Sequence, residues 1–333
     1  VCLALLSAGS LFAPALKAGK IDAIYAFGDS LSDVGNIYAA TAVPGPSIPG
    51  SPYVNGQFTN GNVWVQNLAL DFGLAPLAPS LLGGTNYAYG SGETGVTPFN
   101  TAIAGTDLLG STGQLAQFEA SHPSADPNAL YTIWIGSNDL TDILSDQTPA
   151  QYTADIATVV GNIDTAINTL AGVGAKNFLI ATVPDLGKTP ASLAAGTAVS
   201  SAASGLSLAF DTLLVNGSGP VPSLAAVAGA DGINISVLNT FALLDSIAAN
   251  PSAFGFTNVT QPCLTGAVNY SGGTVCGNPN QYLFWDALHP SAAADAIVAA
   301  DAFALLTPEP ASVSLIAAGL VGLAALAHRL RAR

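Results

Sequence analysis

Residues 21–36 read IDAIYAFGDSLSDVGN. Ile24, Tyr25, Ala26 and Phe27 make a short apolar run that Gly28 ends abruptly, the pattern of a buried strand entering a tight turn. Ser30 stands just past the turn, where its hydroxyl projects from the carboxyl end of the strand. A serine there becomes a nucleophile only where a base can take its proton. Between the two ends the chain holds two histidines, His122 and His289. The second follows Asp286 by three residues in Trp285-Asp286-Ala287-Leu288-His289-Pro290.

Outward from this stretch, four further runs have the length and apolar content of strands: residues 85–89 (TNYAY), 131–135 (YTIWI), 178–183 (FLIATV) and 233–238 (INISVL). Between and after them, residues 62–72, 113–121, 150–175, 191–215, 241–249 and 291–306 read as helices. This alternation predicts one α/β domain, a three-layer α/β/α sandwich around a central parallel five-stranded sheet. The flavodoxin-like order 2-1-3-4-5 makes the carboxyl ends of the first three strands neighbours at the switch point where ligands bind. Ser30, the turn Gly90-Ser91-Gly92 and Asn138 each follow one of those ends. Residues 39–53, rich in Pro, Gly and Ser, read as a surface loop, and residues 96–112 as a loop over the site.

Acyl transfer needs a nucleophile, a base, a group that fixes the base's tautomer, and donors for the developing oxyanion. Ser30 would be the nucleophile, His289 the base and Asp286 the carboxylate that orients the imidazole. The oxyanion donors would be the Ser30 backbone N–H, a backbone N–H in the turn at Gly90, Ser91 or Gly92, and the Asn138 side-chain amide. Phe27–Asn36 resembles block I of the GDSL, or SGNH, hydrolases. Asn86–Gly90 resembles block II, Gly136–Asp139 block III and Asp286–Pro290 block V, while Val183–Gly187 resembles a further segment common in that family. The resemblance implies a Ser-His-Asp esterase or lipase of the SGNH fold, without a GxSxG elbow and without a metal or other cofactor. No GxSxG occurs in the chain. One position departs from the pattern: family members usually carry glycine where this chain has Ser91, which leaves the donor in that turn open by one residue.

The two ends carry their own signals. Residues 1–18 are apolar, too short to span a bilayer comfortably, and end in small residues, like the core and cleavage region of a secretory leader. Residues 19–306 form the hydrolase domain. In the tail 307–333, Pro308-Glu309-Pro310 precedes an uncharged apolar run at 311–327 and then three arginines. That order resembles a PEP-CTERM sorting signal, and implies a membrane segment, an exosortase partner and a cell-surface or extracellular destination for a Gram-negative protein.

Composition excludes some partners. Residues 19–308 carry twenty acidic side chains against Lys20, Lys176 and Lys188, a charge that repels nucleic acid and anionic head groups. Cys263 and Cys276 are the two cysteines outside the leader, and in an exported domain they predict one disulfide. Gly90–Gly95 fits GxGxxG, yet Val96-Thr97-Pro98 follows instead of a helix, so no dinucleotide site is expected. Asp139, Asp142 and Asp146 lack the glycine and closing glutamate of a calcium loop. Asp29, Asp33 and Asn36 read as turn-formers, and His122 as a solvated loop residue. The function expected is hydrolysis of a lipid or other small carboxylic ester. The rivals are de-esterification of a surface polysaccharide, or a non-catalytic matrix protein that keeps the fold.

Overall fold

Parallel strands β1 (Ile24–Gly28), β2 (Leu130–Trp134), β3 (Asn177–Ala181) and β4 (Asn234–Leu238) lie side by side in that order in the computed structural model. The structure describes residues 21–42, 45–95, 106–146 and 148–307. The leader, the apolar run at 311–327 with its basic end, and most of the loop expected over the site lie outside them. Register is regular, with Ile24 beside Leu130 and Gly28 beside Trp134. The helices are α1 (Asn36–Thr41), α2 (Trp64–Asp71), α3 (Gln114–Ser121), α4 (Ser137–Asp146), α5 (Tyr152–Gly172), α6 (Pro190–Ala194), α7 (Thr197–Asn216), α8 (Leu224–Asp231), α9 (Thr240–Ala249) and α10 (Ala292–Leu306).

The two-residue alternation of a strand decides what each face of the sheet covers. Tyr131, Ile133, Phe178 and Ile180 point to one side, where they pack with Phe118 of α3, Ile163 and Ile167 of α5, Phe210 of α7 and Val227 of α8. Leu130, Trp134, Leu179 and Ala181 point to the other, against Trp64 and Leu68 of α2 and Ala299 and Ala302 of α10. Strands buried on both faces must be apolar at nearly every position, which is why YTIWI and FLIATV read as unbroken runs. Each large side chain sealed this way contributes about 1.5–3 kcal/mol. The three-layer sandwich is therefore the observed architecture. α7 is long and apolar enough to cross a membrane, but here it packs against α4, α5 and α8.

The expected fifth strand takes a looser form. Residues 85–89 run along the free edge of β1, with Ala26 N donating to Thr85 O (3.1 Å), Tyr87 N to Ala26 O (2.6 Å) and Tyr89 N to Gly28 O (3.1 Å). The next rung is missing, because Gly28 N donates to the Gln114 side chain (2.9 Å) rather than to this segment. This leaves an extended segment bridged to β1 at one residue rather than a full strand, and the sheet proper has four. The single helix expected at 191–215 is two, α6 and α7, because Gly196 at φ +101° turns the chain between them. A second layer of small strands, absent from the expectation, closes the carboxyl-terminal side: β5 (Asn258–Pro262), β6 (Leu264–Thr265), β7 (Thr274–Val275) and β8 (Tyr282–Phe284). β6 and β7 are antiparallel, and the expected disulfide joins Cys263 to Cys276 beside them.

At Gly28 the backbone of β2 leaves no room for a side chain: a Cβ there would stand 2.3 Å from the Trp134 carbonyl oxygen. Gly28→Ala is expected to destabilise the fold by at least about 2 kcal/mol, measured as a Tm lowered by several degrees. An unchanged Tm would contradict this packing.

Candidate active site

Ser30 leaves the end of β1, and the turn after β8 brings Asp286 and His289 to it from the far end of the chain. Asp286 shapes that turn. Its Oδ1 accepts the backbone N–H groups of Leu288 and His289, each at 2.8 Å, and Trp285 N donates to His289 O at 2.8 Å. The bend points the imidazole back at the carboxylate, so that His289 Nδ1 lies 2.8 Å from Asp286 Oδ2. On the other side of the ring, Nε2 lies 2.9 Å from Ser30 Oγ. Ser30, His289 and Asp286 thus form one continuous chain of hydrogen bonds.

Burial sets the electrostatics. His289 is 4% exposed and Asp286 8%. Burial alone would lift the Asp286 pKa, but the imidazolium charge, the ring hydrogen bond and the two backbone donors outweigh it and bring it down to about 2. For His289, burial disfavours the charged ring, yet the Asp286 charge and hydrogen bond, with a smaller effect from Asp29, leave its pKa above the ordinary value. Asp29 itself is pushed up to about 7 by burial, despite a hydrogen bond from Leu31 N and the attraction of His289.

On the oxyanion side, the expected donors separate. Among the described residues no protein group accepts from the Ser30 backbone N–H. Gly90 N donates to Asp33 Oδ2 (2.8 Å) and Gly92 N to Tyr89 O (3.0 Å), which removes both glycines as donors and corrects the inclusion of Gly90. Ser91, between them at φ +62°, lines the same cavity as Ser30 and Asn138. Asn138, in the first turn of α4, spends one amide hydrogen on Gly92 O (2.9 Å). Its neighbour Asp139 accepts from Thr94 N (3.1 Å) and Thr94 Oγ1 (2.6 Å). The start of α4 therefore holds the 90–94 turn in place as well as facing the serine.

Asp33 and Asn36 are structural, as expected, and they bind the pieces together. Asp33 accepts from Gly35, Asn36, Ile37 and Gly90 backbone N–H groups. Asn36 Nδ2 donates to Asn86 O (2.8 Å) and Ala88 O (2.9 Å), and Asn86 Nδ2 to Ser32 O (2.7 Å). Two residues escaped the sequence reading. Gln114 brackets Gly28, accepting from its N–H at 2.9 Å and donating to its carbonyl at 2.7 Å. Tyr53, in the stretch read as a surface loop, is buried and donates to Asp286 Oδ2 at 2.7 Å. No motif marks either residue; a glutamine opening a helix and a tyrosine after proline are ordinary in sequence. His122 is not the solvated loop residue expected: it ends α3 half-buried, stacked on Phe118 at 4.6 Å.

A cavity of about 120 Å³ opens at Ser30 and His289 and runs inward between α9 and α10, past Leu244, Ile247, Phe284 and Val298. Its inner lining is apolar. The site can therefore present a hydroxyl to an electrophile, accept its proton and seat an apolar group beside it.

The chain is similar to known lipases and esterases. The profile of the family described as GDSL-like Lipase/Acylhydrolase matches residues 24–302. The thermolabile hemolysin of Vibrio parahaemolyticus is 28% identical over 86% of this chain, which spans 64% of that protein's length. A GDSL esterase/lipase of Arabidopsis thaliana is 27% identical, with 84% of this chain and 86% of the relative covered. The phosphatidylcholine-sterol acyltransferase of Aeromonas hydrophila is 30% identical over 73% of this chain and 66% of its own.

Two pH effects follow from the pair. The depressed Asp286 carboxylate stabilises the fold above its unfolded value near 3.9, a contribution lost as pH falls through about 2. The raised His289 stabilises it below its unfolded value of about 6.5, a contribution lost as pH rises through the folded value. Ring-proton NMR is expected to show His289 titrating above about 6.5; a midpoint below that would contradict the pairing.

Proposed function

The chain belongs to the GDSL-like lipase/acylhydrolase family, a family of carboxylic-ester hydrolases, and from that premise we propose that it cleaves esters of apolar acyl groups through an acyl-serine intermediate on Ser30. The observation that carries the proposal is the unbroken hydrogen-bond chain from Ser30 Oγ through the His289 ring to Asp286 Oδ2. In the first half-reaction Ser30 Oγ attacks the ester carbonyl while His289 Nε2 takes its proton. The carbonyl oxygen becomes an oxyanion that accepts from the Ser30 N–H, the second amide hydrogen of Asn138 and the Ser91 backbone. Collapse expels the alcohol, which receives the proton held on Nε2. Water then repeats the sequence on the acyl-serine, with His289 again as base, and releases the carboxylic acid. Asp286 keeps the proton on Nδ1, so that Nε2 stays free to accept.

The apolar cavity between α9 and α10 favours a hydrocarbon acyl chain over an acetyl group, and the Aeromonas relative named for phosphatidylcholine supports the same choice. The acidic domain argues against tight adsorption to anionic membranes. Export belongs to the same proposal. The Cys263–Cys276 disulfide supports an oxidising compartment, and the PEP-CTERM-like tail suggests sorting by an exosortase to the cell surface.

Ser30→Ala is expected to abolish turnover of p-nitrophenyl esters and to leave the melting temperature within a few degrees of the parent; retained activity would reject the nucleophile. Asn138→Ala is expected to lower kcat by roughly 10²–10³-fold, the usual cost of one oxyanion donor. Across an acyl-length series, kcat/KM should rise from acetyl toward medium chains. A maximum at acetyl, with release of acetate from an acetylated glycan, would favour the polysaccharide substrate instead.

A further inference from the structure

Asp286 Oδ2 receives two donors, His289 Nδ1 at 2.8 Å and the Tyr53 hydroxyl at 2.7 Å. The phenol can only donate there, because burial, then the Asp286 charge, drive its pKa well above the ordinary value. Its position is fixed from three sides. The Tyr53 ring meets Trp285, Tyr270 and Phe58 edge-on, with centroids 6.0, 6.1 and 6.4 Å away. Phe58 and Tyr270 in turn flank the imidazole at 5.2 and 5.8 Å.

The backbones that carry Tyr53 and Tyr270 are also tied together. Gly50 N donates to Tyr270 O (2.8 Å) and Gly272 N to Ser51 O (2.7 Å), and the Cys263–Cys276 disulfide closes the loop that holds Tyr270. A hydroxyl seated this firmly does more than satisfy a lone pair. Every donor to a carboxylate oxygen draws charge from it and so weakens its hold on a neighbouring cation. The charged or titratable groups facing His289 are Asp286, Asp29, Tyr53 and Tyr270. The two carboxylates favour the protonated ring, and Tyr53 alone of the phenols bonds to Asp286.

We propose that Tyr53 is a positioning residue of the hydrogen-bond chain: its hydroxyl pins the Asp286 carboxylate and tempers it, so that His289 returns to its neutral, proton-accepting form at lower pH than Asp286 alone would allow. The inference rests on His289 acting as the general base. It also assigns a purpose to the disulfide loop, which braces the aromatic wall that holds both Tyr53 and the imidazole.

Tyr53→Phe removes the hydroxyl and keeps the ring. In this variant the His289 midpoint, followed by ring-proton NMR, is expected to rise by roughly half a unit to one unit. The acid limb of kcat/KM for a p-nitrophenyl ester should move up with it, and kcat near pH 7 should fall about tenfold, the cost of one hydrogen bond to a charged group. An NMR midpoint that is unmoved or lowered would overturn the proposal, as would a lower kcat with an unshifted acid limb, the signature of a packing role alone. Parent protein without esterase activity would reject the functional reading. The NMR titration would still decide the role of Tyr53.

Discussion

A carboxylate taken out of water must be met by donors or lose its charge, and this site is assembled around three that are met. Asp33 gathers N–H groups from the start of α1 and from Gly90, Asp139 holds Thr94, and Asp286 takes two backbone donors, the imidazole and Tyr53. Each draws together segments far apart in the chain. Because each is buried, breaking any one of these sets leaves an uncompensated group rather than a mere missing contact. Ser30, the 90–94 turn and the start of α4 hang on the ends of adjacent parallel elements, and the carboxylates hold the few residues beyond those ends.

Much of this was legible in the sequence. Apolar runs of strand length predicted the parallel sheet because both of its faces are covered, and the switch point put Ser30 and Asn138 at neighbouring strand ends, where both line one cavity. What lay beyond reach shares one cause. Tyr53 and Gln114 act through tertiary contacts that leave no periodicity and no local signature. The turn donor was open by one residue because the directions of the Gly90 and Gly92 N–H groups, toward Asp33 and Tyr89, leave no trace in sequence. The edge segment at 85–89 looked like a strand because it has a strand's composition. Gln114, which takes the Gly28 N–H, interrupts the pairing.

The site joins a polar rim to an apolar interior. At the rim, buried charge is arranged so that the imidazole holds a proton more readily than a free histidine while remaining hydrogen-bonded to the serine. Inward, the cavity between α9 and α10 offers little besides hydrocarbon. The proposed substrate, an ester of an apolar acyl group, would use both: its carbonyl at the rim and its acyl chain inside. The surface charge acts at longer range and against anionic partners.

The central claim is that His289 makes Ser30 a nucleophile. It is tested most directly by reaction with a fluorophosphonate followed by peptide mapping by mass spectrometry. The account predicts a single adduct on Ser30 in the parent protein and its loss in His289→Ala. No adduct in the folded parent protein, or labelling of Ser30 that is equally fast without the imidazole, would contradict it.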